Sequence, residues 1–437
     1  MTDSLKALLV GAGENRQMAE LGRLVETLGY KTVGRLEQAR RDGSGYVGKG
    51  KREELASLVE ETGADVVVTD DELTASTARV LERAAGKPVL DRTALIIRIF
   101  ESHARDAASR LEVELANLEY RLPRVKGGSE ALSRLGGGGD TTRGPGEQKL
   151  EYDRRVIRDR ISALNHRLQE EKSAREVRGR RRREGLGPPS VALVGYTNAG
   201  KTTILNSLSG AGRSTRDRLF ETLETTTRLV EGGGAHENDQ DGADNSESRP
   251  DFVVTDTVGF IQKLPTQLVH SFASTLEAAA EADVVVVCAD ASSEELNIQI
   301  STVLETLRDI LPDESPMSGD DRGAASGYVL CLNKMDLVEP EKLGDLDNSY
   351  SKAVRISALS DTSALRDRIQ HEISRSRTRL DLRVPHSDYA VVGKLYGIAE
   401  IHSTSNNEDG VILDVTLPIS LASRYEKYAI DSTVPKG

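Results

Sequence analysis

The sequence has no tryptophan, and aromatic residues make up only 4% of its 437 positions. It has two cysteines, Cys288 and Cys331, each inside an apolar run (VVVVCAD and YVLCLNK). A structural zinc site needs about four Cys or His ligands at short spacing, and a disulfide framework needs several cysteines. Neither pattern is present, so both cysteines read as small buried hydrophobes in strands of a protein kept in a reducing cytosol. No apolar stretch approaches ~20 residues, which leaves no candidate for a transmembrane helix. The opening MTDSLKALLV has too short an apolar run for a signal peptide. Together these absences predict a cytoplasmic protein. Lysine is also scarce, with 16 Lys against 42 Arg, and 70 acidic residues against 58 basic ones give a net charge of −12. That balance argues against a nucleic-acid-binding surface over the whole molecule and leaves such contact to a local basic region. The acid excess with little lysine fits a salt-rich cytoplasm.

At roughly 150 residues per domain the length predicts about three domains, ample to bury real cores. Residues 1–92 alternate strand patterns (LKALLV, 5–10; around Tyr30–Val33; DVVVTD, 65–70; PVLD, 88–91) with helical ones, as in a small α/β domain with a parallel sheet. Residues 93–187 read as a helical arm. Leu111, Leu115, Leu118 and Leu122 are spaced four, three, four, and Ile157, Ile161, Leu164 and Leu168 repeat that spacing. Two long antiparallel helices joined by a Gly-rich tip loop (GGGG, 136–139) follow, the first about 45 Å long at ~1.5 Å per residue. The second ends in AREVRGRRRREG, and residues 141–190 carry 14 basic and 8 acidic side chains inside a protein of opposite charge. This run reads either as a solvated helix face or as an RNA contact. Residues 188–382 read as a second α/β domain and 383–437 as a small C-terminal α+β domain with strand patterns at YAVVG and VILDVTLP. The polar stretches 231–251 and 312–327 lack hydrophobic periodicity and read as surface loops or disordered inserts.

The chemistry is carried by four segments. VALVGYTNAGKTTILN (191–206) holds G-x-x-x-x-G-K-T between a strand and a helix pattern, the context that a phosphate-binding P-loop requires. Gly195, Tyr196, Thr197, Asn198, Ala199 and Gly200 would wrap phosphates with backbone N–H groups. Lys201 would reach the β- and γ-phosphates, and Thr202 would ligate Mg²⁺, with Thr203 beside it. FVVTDTVGF (252–260) ends a strand in D-x-x-G. Asp256 would hold the Mg²⁺ shell through water. Thr257 and Val258 lead to Gly259, whose N–H would sense the γ-phosphate and make the following residues a switch. VLCLNKMDL (329–337) gives N-K-x-D, the guanine-reading pattern. Asp336 would accept hydrogen bonds from guanine N1–H and N2–H₂, a demand that adenine cannot meet. Asn333 would contact the base and tie the site together, and the Lys334 stem would lie along the ring, with Met335 between them and Asp336. Ser357, Ala358 and Leu359 follow at the expected distance and would help hold the base. These segments predict GTP and GDP binding.

A Thr ahead of D-x-x-G must close over the γ-phosphate and Mg²⁺, and LFETLETTTR (219–228) offers Thr222, Thr225, Thr226 and Thr227. The position after D-x-x-G is Phe260, where many GTPases carry a Gln that orients the attacking water. Asn198 has two readings: its carbonyl ligates a K⁺ that supplies part of an arginine finger's charge, or it only caps the loop. Two weaker patterns complete the inventory. LLVGAGENR (8–16) has Arg16 where a dinucleotide fingerprint needs its third Gly and reads as a strand-to-helix turn. GYVGKGKREEL (45–55) is a basic turn whose Lys49 and Lys51 could equally touch phosphate.

Read together, the chain resembles the HflX family of ribosome-associated GTPases, in an archaeal, salt-adapted form. The residues that carry the resemblance are GKGKREEL (48–55), DRTALIIRIFESHA (91–104), LEVELANLEYRLPR (111–124), GPGEQKLEYDRR (144–155), VALVGYTNAGKTT (191–203) and DTVGFIQKLPTQLVHSFASTLE (256–277). The resemblance implies an N-terminal α/β domain with a helical arm, then a P-loop GTPase domain. It implies binding to the large ribosomal subunit and its rRNA, and a role in splitting or rescuing ribosomes under stress. It selects Thr222 as the Mg²⁺-ligating switch Thr, within Phe220, Glu221, Thr222, Leu223 and Glu224, although Glu221 and Thr225 replace the family's Ala and Pro. The expected protein is a Mg²⁺-dependent, monomeric GTP hydrolase with Lys201, Thr222 and Gly259 at the reaction centre. An RNA-binding or RNA-remodelling protein regulated by GTP, and a GTP-gated protein scaffold, are the alternatives.

Overall fold

A computed structural model describes residues 4–14, 17–104, 106–126, 145–183, 188–210, 226–232, 251–263, 278–280, 282–310 and 328–430. The chain forms two compact units. The first is Met1–Glu171 with Arg216–Glu224 and Val258–Ser274; the second is Lys172–Thr215, Thr225–Thr257 and Thr275–Gly437.

In the first unit the order is β1 (Lys6–Ala12), α1 (Met18–Thr27), β2 (Lys31–Gln38), α2 (Lys49–Thr62), β3 (Val66–Thr69), α3 (Ala75–Ala85) and β4 (Val89–Leu90). The strands make a parallel sheet in the order β2-β1-β3-β4. Short apolar runs without alternation suit strands covered on both faces: every residue of β3 is buried, and so is all of β1 after Lys6. Leu8, Val10, Leu55, Val67 and Leu81 belong to one core. Each strand pattern expected in residues 1–92 is found, displaced by one to a few residues.

The arm departs from expectation. Where one long first helix is expected, the chain makes α4 (Arg92–His103) and α5 (Ala107–Arg121). The cause is local. The Asp106 carboxylate accepts the Ser109 N–H at 2.7 Å and starts a new helix, as Asp91 does for α4 through the Ala94 N–H at 2.8 Å. After α5 comes α6 (Pro145–Arg183), 39 residues in one helix, about 58 Å at ~1.5 Å per residue. Arg160 grips the Glu114 carboxylate with two nitrogens, at 2.7 and 3.0 Å, and so joins α6 to α5. That contact holds Glu114 below the usual carboxylate range, chiefly through the hydrogen bond. On α6 the stripe Ile157, Ile161, Leu164 and Leu168 is sheltered, with Leu164 fully buried. The expected tip loop at 136–139 lies outside the described residues.

The second unit is built on a six-stranded sheet, β10-β9-β8-β5-β7-β6. Its strands are β5 (Ser190–Gly195), β6 (Thr226–Val230), β7 (Phe252–Asp256), β8 (Val284–Asp290), β9 (Tyr328–Asn333) and β10 (Val354–Arg355). All neighbours are parallel except β6 and β7. Its helices are α7 (Lys201–Leu208), α8 (Leu296–Ile310), α9 (Pro340–Ser349) and α10 (Ser363–Arg375). Val191, Leu193, Leu205, Phe252, Val286 and Ile369 share the core with both cysteines. Cys288 and Cys331 are buried register partners on β8 and β9 and carry free thiols, as small core hydrophobes would. Contact with Cys288 and burial push the Cys331 thiol well up. The inserts at 231–251 and 312–327 lie almost wholly outside the described residues.

An antiparallel sheet, β11 (Arg377–Pro385), β13 (Gly410–Pro418) and β12 (Glu400–Asn407), starts upstream of the expected boundary at 383. VILDVTLP is β13, as expected. YAVVG is not a strand: residues Ala390–Ile398 form α11, followed after β13 by the short α12 (Ile419–Ala422). Val392 and Leu395, three apart, are its buried residues. A five-residue apolar run cannot distinguish a strand from a buried helix turn by itself.

Candidate functional site

Strand β5 delivers the loop Tyr196–Gly200 to the start of α7. Both flanking glycines are forced by their surroundings. A Cβ on Gly195 would lie 2.2 Å from the Cys288 carbonyl oxygen. Gly200 has φ +89°, and a Cβ there would lie 2.2 Å from the Asn333 amide nitrogen. Between them Asn198 adopts a left-handed φ of +63°. Gly200 has no side chain with which to cap α7, and the first turn of a helix presents N–H groups that suit an anion. The Thr197 hydroxyl is buried with no hydrogen-bond partner among the described residues. This cradle fits a polyphosphate.

Lys201 is buried, and its ammonium donates to the carbonyls of Gly195 at 3.1 Å and Tyr196 at 3.0 Å. Burial pushes its pKa down, with the Asp256 carboxylate opposing. A bound phosphate would supply the negative charge that this desolvated cation lacks. Beside it the Thr202 hydroxyl donates to Asp256 Oδ2 at 2.7 Å, bringing together two groups 54 residues apart. Asp256 is fully buried at the end of β7, opposite Leu193 of β5. Mg²⁺ binds one or two protein oxygens and completes its shell with water and phosphate oxygens. The Thr202–Asp256 pair fits that demand. Thr257 is fixed to β5, its hydroxyl donating to the Leu193 carbonyl at 2.7 Å. Val258 is buried and Gly259 half-buried, and both begin the stretch Val258–Ser274 of the first unit.

At the base-reading end, Asn333 is buried and ties three segments together. Its Nδ2 donates to the Ala199 carbonyl at 2.9 Å, and its Oδ1 accepts the Ala358 N–H at 3.0 Å. Lys334 turns the chain with φ +62°, and its ammonium meets Asp290 Oδ2 at 2.7 Å. The Met335 N–H donates to the Ile356 carbonyl at 3.2 Å. Asp336 is exposed and has no partner among the described residues, so both carboxylate oxygens can accept. The Ser357 carbonyl accepts the Ser360 and Asp361 N–H groups at 2.9 Å, turning the loop so that Leu359 stands 82% exposed at its rim.

The structure thus brings together Gly195–Thr203, Asp256 and Thr257, Asn333–Asp336 and Ser357–Leu359. Thr222, with Phe220, Glu221, Leu223, Glu224 and Thr225, lies outside the described residues. Thr226 and Thr227 are strand residues of β6; the Thr227 hydroxyl meets that of Thr255 at 2.9 Å. Sequence reasoning missed Asp290, the anchor of Lys334. Its signal was present: an Asp ends the apolar run VVVVCAD and is the register partner of Asn333.

A mostly parallel sheet with a glycine-flanked phosphate loop, a Thr–Asp oxygen pair and an Asn-Lys-x-Asp loop defines the class: a P-loop GTPase, an enzyme that hydrolyses GTP. Three family profiles match: "GTP-binding GTPase N-terminal" over residues 15–101, "GTP-binding GTPase Middle Region" over 103–182 and "50S ribosome-binding GTPase" over 190–333. A GTPase HflX of Caldanaerobacter subterraneus subsp. tengcongensis is 36% identical over 429 residues, covering 98% of this chain and 93% of its own. The GTPase HflX of Escherichia coli is 35% identical over 384 residues, covering 86% and 83%. The chain belongs to the HflX GTPase family. A solved GTP-binding protein from Sulfolobus solfataricus in complex with GDP covers 85% of this chain and 98% of its own, at 23% identity and a TM-score of 0.43. Among the described residues no helix is long and apolar enough to cross a membrane.

Proposed function

We propose that this GTPase binds the large ribosomal subunit and its rRNA, and uses the GTP state to split or rescue ribosomes under stress. The observation that carries the reading is the pairing of a GTPase site with a 39-residue helix whose end holds the basic run Arg180–Arg183, in a chain of net charge −12. The match of residues 190–333 to a profile described as a 50S ribosome-binding GTPase supports it. In this reading the chain has four segments: an N-terminal domain (1–92), an arm (93–187), a GTPase domain (188–382) and a C-terminal domain (383–437). It acts in the cytoplasm as a monomer. The acid excess supports a salt-rich cytoplasm and an archaeal source; the two GTPase HflX relatives named above are bacterial.

The site residues take these roles. The P-loop amides and Lys201 hold the β- and γ-phosphates. Thr202 and Thr222 would ligate Mg²⁺, and Asp256 would hold its shell through water. Asp336 reads guanine, while Asn333, Lys334 and Ser357–Leu359 frame the base. The Gly259 N–H meets the γ-phosphate. Mg²⁺ held there would supply Lewis-acid charge to the phosphoryl group, and the P-loop amides and Lys201 stabilise the charge that develops on it as water attacks. Phe260 cannot orient that water, so turnover waits for the ribosome to order the switch. The Asn198 carbonyl would hold a K⁺, which would supply part of an arginine finger's charge.

Co-sedimentation tests the binding. With a non-hydrolysable GTP analogue, wild-type protein should pellet with large subunits several-fold more than with GDP. Reversing Arg180–Arg183 to Glu should abolish pelleting and leave free GTP turnover unchanged. Equal pelleting with both nucleotides, or full pelleting of the reversed variant, would contradict the reading.

A further inference from the structure

The segment DRTALIIRIF (91–100) takes no part in the nucleotide site, yet its second residue is buried and charged. The Arg92 guanidinium pairs with Glu20 of α1 and with Asp70, just beyond β3, at 2.9 Å. It also donates to the main-chain carbonyl of Gln262 at 3.0 Å. The next residue, Lys263, reaches Asp70 at 2.6 Å and Asp71 at 2.9 Å. Asp70 further accepts the Gln17 N–H at 2.9 Å, and Asp71 is held by Arg41 and by the Tyr46 hydroxyl at 2.8 Å. Burial and the Asp71 carboxylate push the Tyr46 phenol up, so it remains the donor.

Lys263 is one of the cations that this cluster of carboxylates holds. Glu20, Asp70 and Asp71 are buried carboxylates, and the cations facing them among the described residues are Arg92, Arg41 and Lys263. Lys263 reaches both Asp70 and Asp71, and taking a cation away from buried carboxylates is costly. The place also matters. From β1 the chain moves to β2 on one side, while β3 and β4 lie on the other, so the carboxyl ends of β1 and β3 form the switch point where open parallel sheets bind their ligands. Here a residue of the chain itself reaches the carboxylates at that edge. Lys263 holds a left-handed φ of +51°, a conformation that a non-glycine residue keeps only when its surroundings impose it.

Gly259, the residue assigned above to the γ-phosphate, is separated from Lys263 only by Phe260-Ile261-Gln262. A loop that answers to the γ-phosphate changes its arrangement between GTP and GDP. We infer that Lys263 is a positioning residue: it ties that loop to the Asp70–Asp71 pair, so that the exchange of GTP for GDP is felt at the edge of the N-terminal sheet. The inference rests on the reading of Gly259 and is independent of ribosome binding.

The test is hydrogen exchange on the full chain, with GDP and with a non-hydrolysable GTP analogue, following peptides across 66–71 and 92–100. Wild-type protein should show a several-fold difference in exchange rate between the two nucleotides. Lys263→Met should lose that difference while binding the analogue within about twofold of wild type, and Lys263→Arg should keep it. A uniform rise in exchange with the difference intact would mark Lys263 as structural only and overturn the inference. So would a wild type indifferent to the nucleotide. Should Lys263→Met fold poorly, Asp71→Asn removes one of the two carboxylates and must reproduce the loss. Measuring analogue affinity alongside separates failure of this link from failure of the nucleotide site.

Discussion

Asn333 spends both ends of its amide inside the protein, on the Ala199 carbonyl and the Ala358 N–H. The phosphate loop and the base loop are therefore set by one side chain, and a disturbance at one reaches the other. Gly200→Ala tests this. The methyl would need a left-handed backbone and would meet the Asn333 amide at 2.2 Å. The backbone strain alone is worth about 1–3 kcal/mol, so thermal unfolding should move down by several degrees and GTP affinity should fall with it. Lys201→Ala makes a sharper distinction. The substitution removes a buried cation that already lacks a full counter-charge, so the apo protein should remain as stable as wild type or gain slightly. Titration with a fluorescent GTP analogue should nevertheless show affinity reduced by at least about a hundredfold, the two or three kcal/mol of a charge-assisted contact. Near-normal binding by this variant would remove the P-loop assignment.

At the scale of elements, the break between α4 and α5 depends on one carboxylate. Asp106→Ala should cost about 1 kcal/mol, the usual worth of an N-cap, readable as a lowered midpoint in urea unfolding without loss of GTP binding. The break was legible in principle, since Asp106 precedes Ala107–Ser109 as a cap would, but the leucine spacing that defines the helix begins only at Leu111. The strands of the nucleotide sheet were legible because buried parallel strands leave unbroken β-branched runs such as VVVVCAD. The site was legible for a related reason. Each of its segments is a short contiguous stretch at the end of such a strand, and the chemistry fixes its residue types. Of the C-terminal strands missed, β11 was legible and β12 was not. RTRLDLRVP did carry a signal that was passed over, the alternation of buried Leu380, Leu382 and Val384 with exposed charged residues, whereas EIHSTSNN is exposed along nearly all its length and carries none. The Arg92–Lys263 cluster could not be read either, because it joins residues about 170 to 193 positions apart that share no local pattern.

At the scale of the molecule, the charge distribution separates tasks. Residues 141–190 carry 14 basic and 8 acidic side chains in a chain of net charge −12, so under the proposed rRNA contact salt should weaken binding through this stretch while leaving the nucleotide site intact. The measurement that bears most directly on the whole account is GTP turnover by the purified protein at high KCl, with and without large ribosomal subunits, repeated in NaCl. The account predicts slow turnover by the protein alone, as low as roughly 10⁻⁴–10⁻³ per second for a GTPase without its activator. It predicts strong stimulation by subunits in KCl and loss of that stimulation in NaCl, where the Asn198 carbonyl has no K⁺ to hold. Turnover indifferent to subunits, with GTP binding intact, would contradict it.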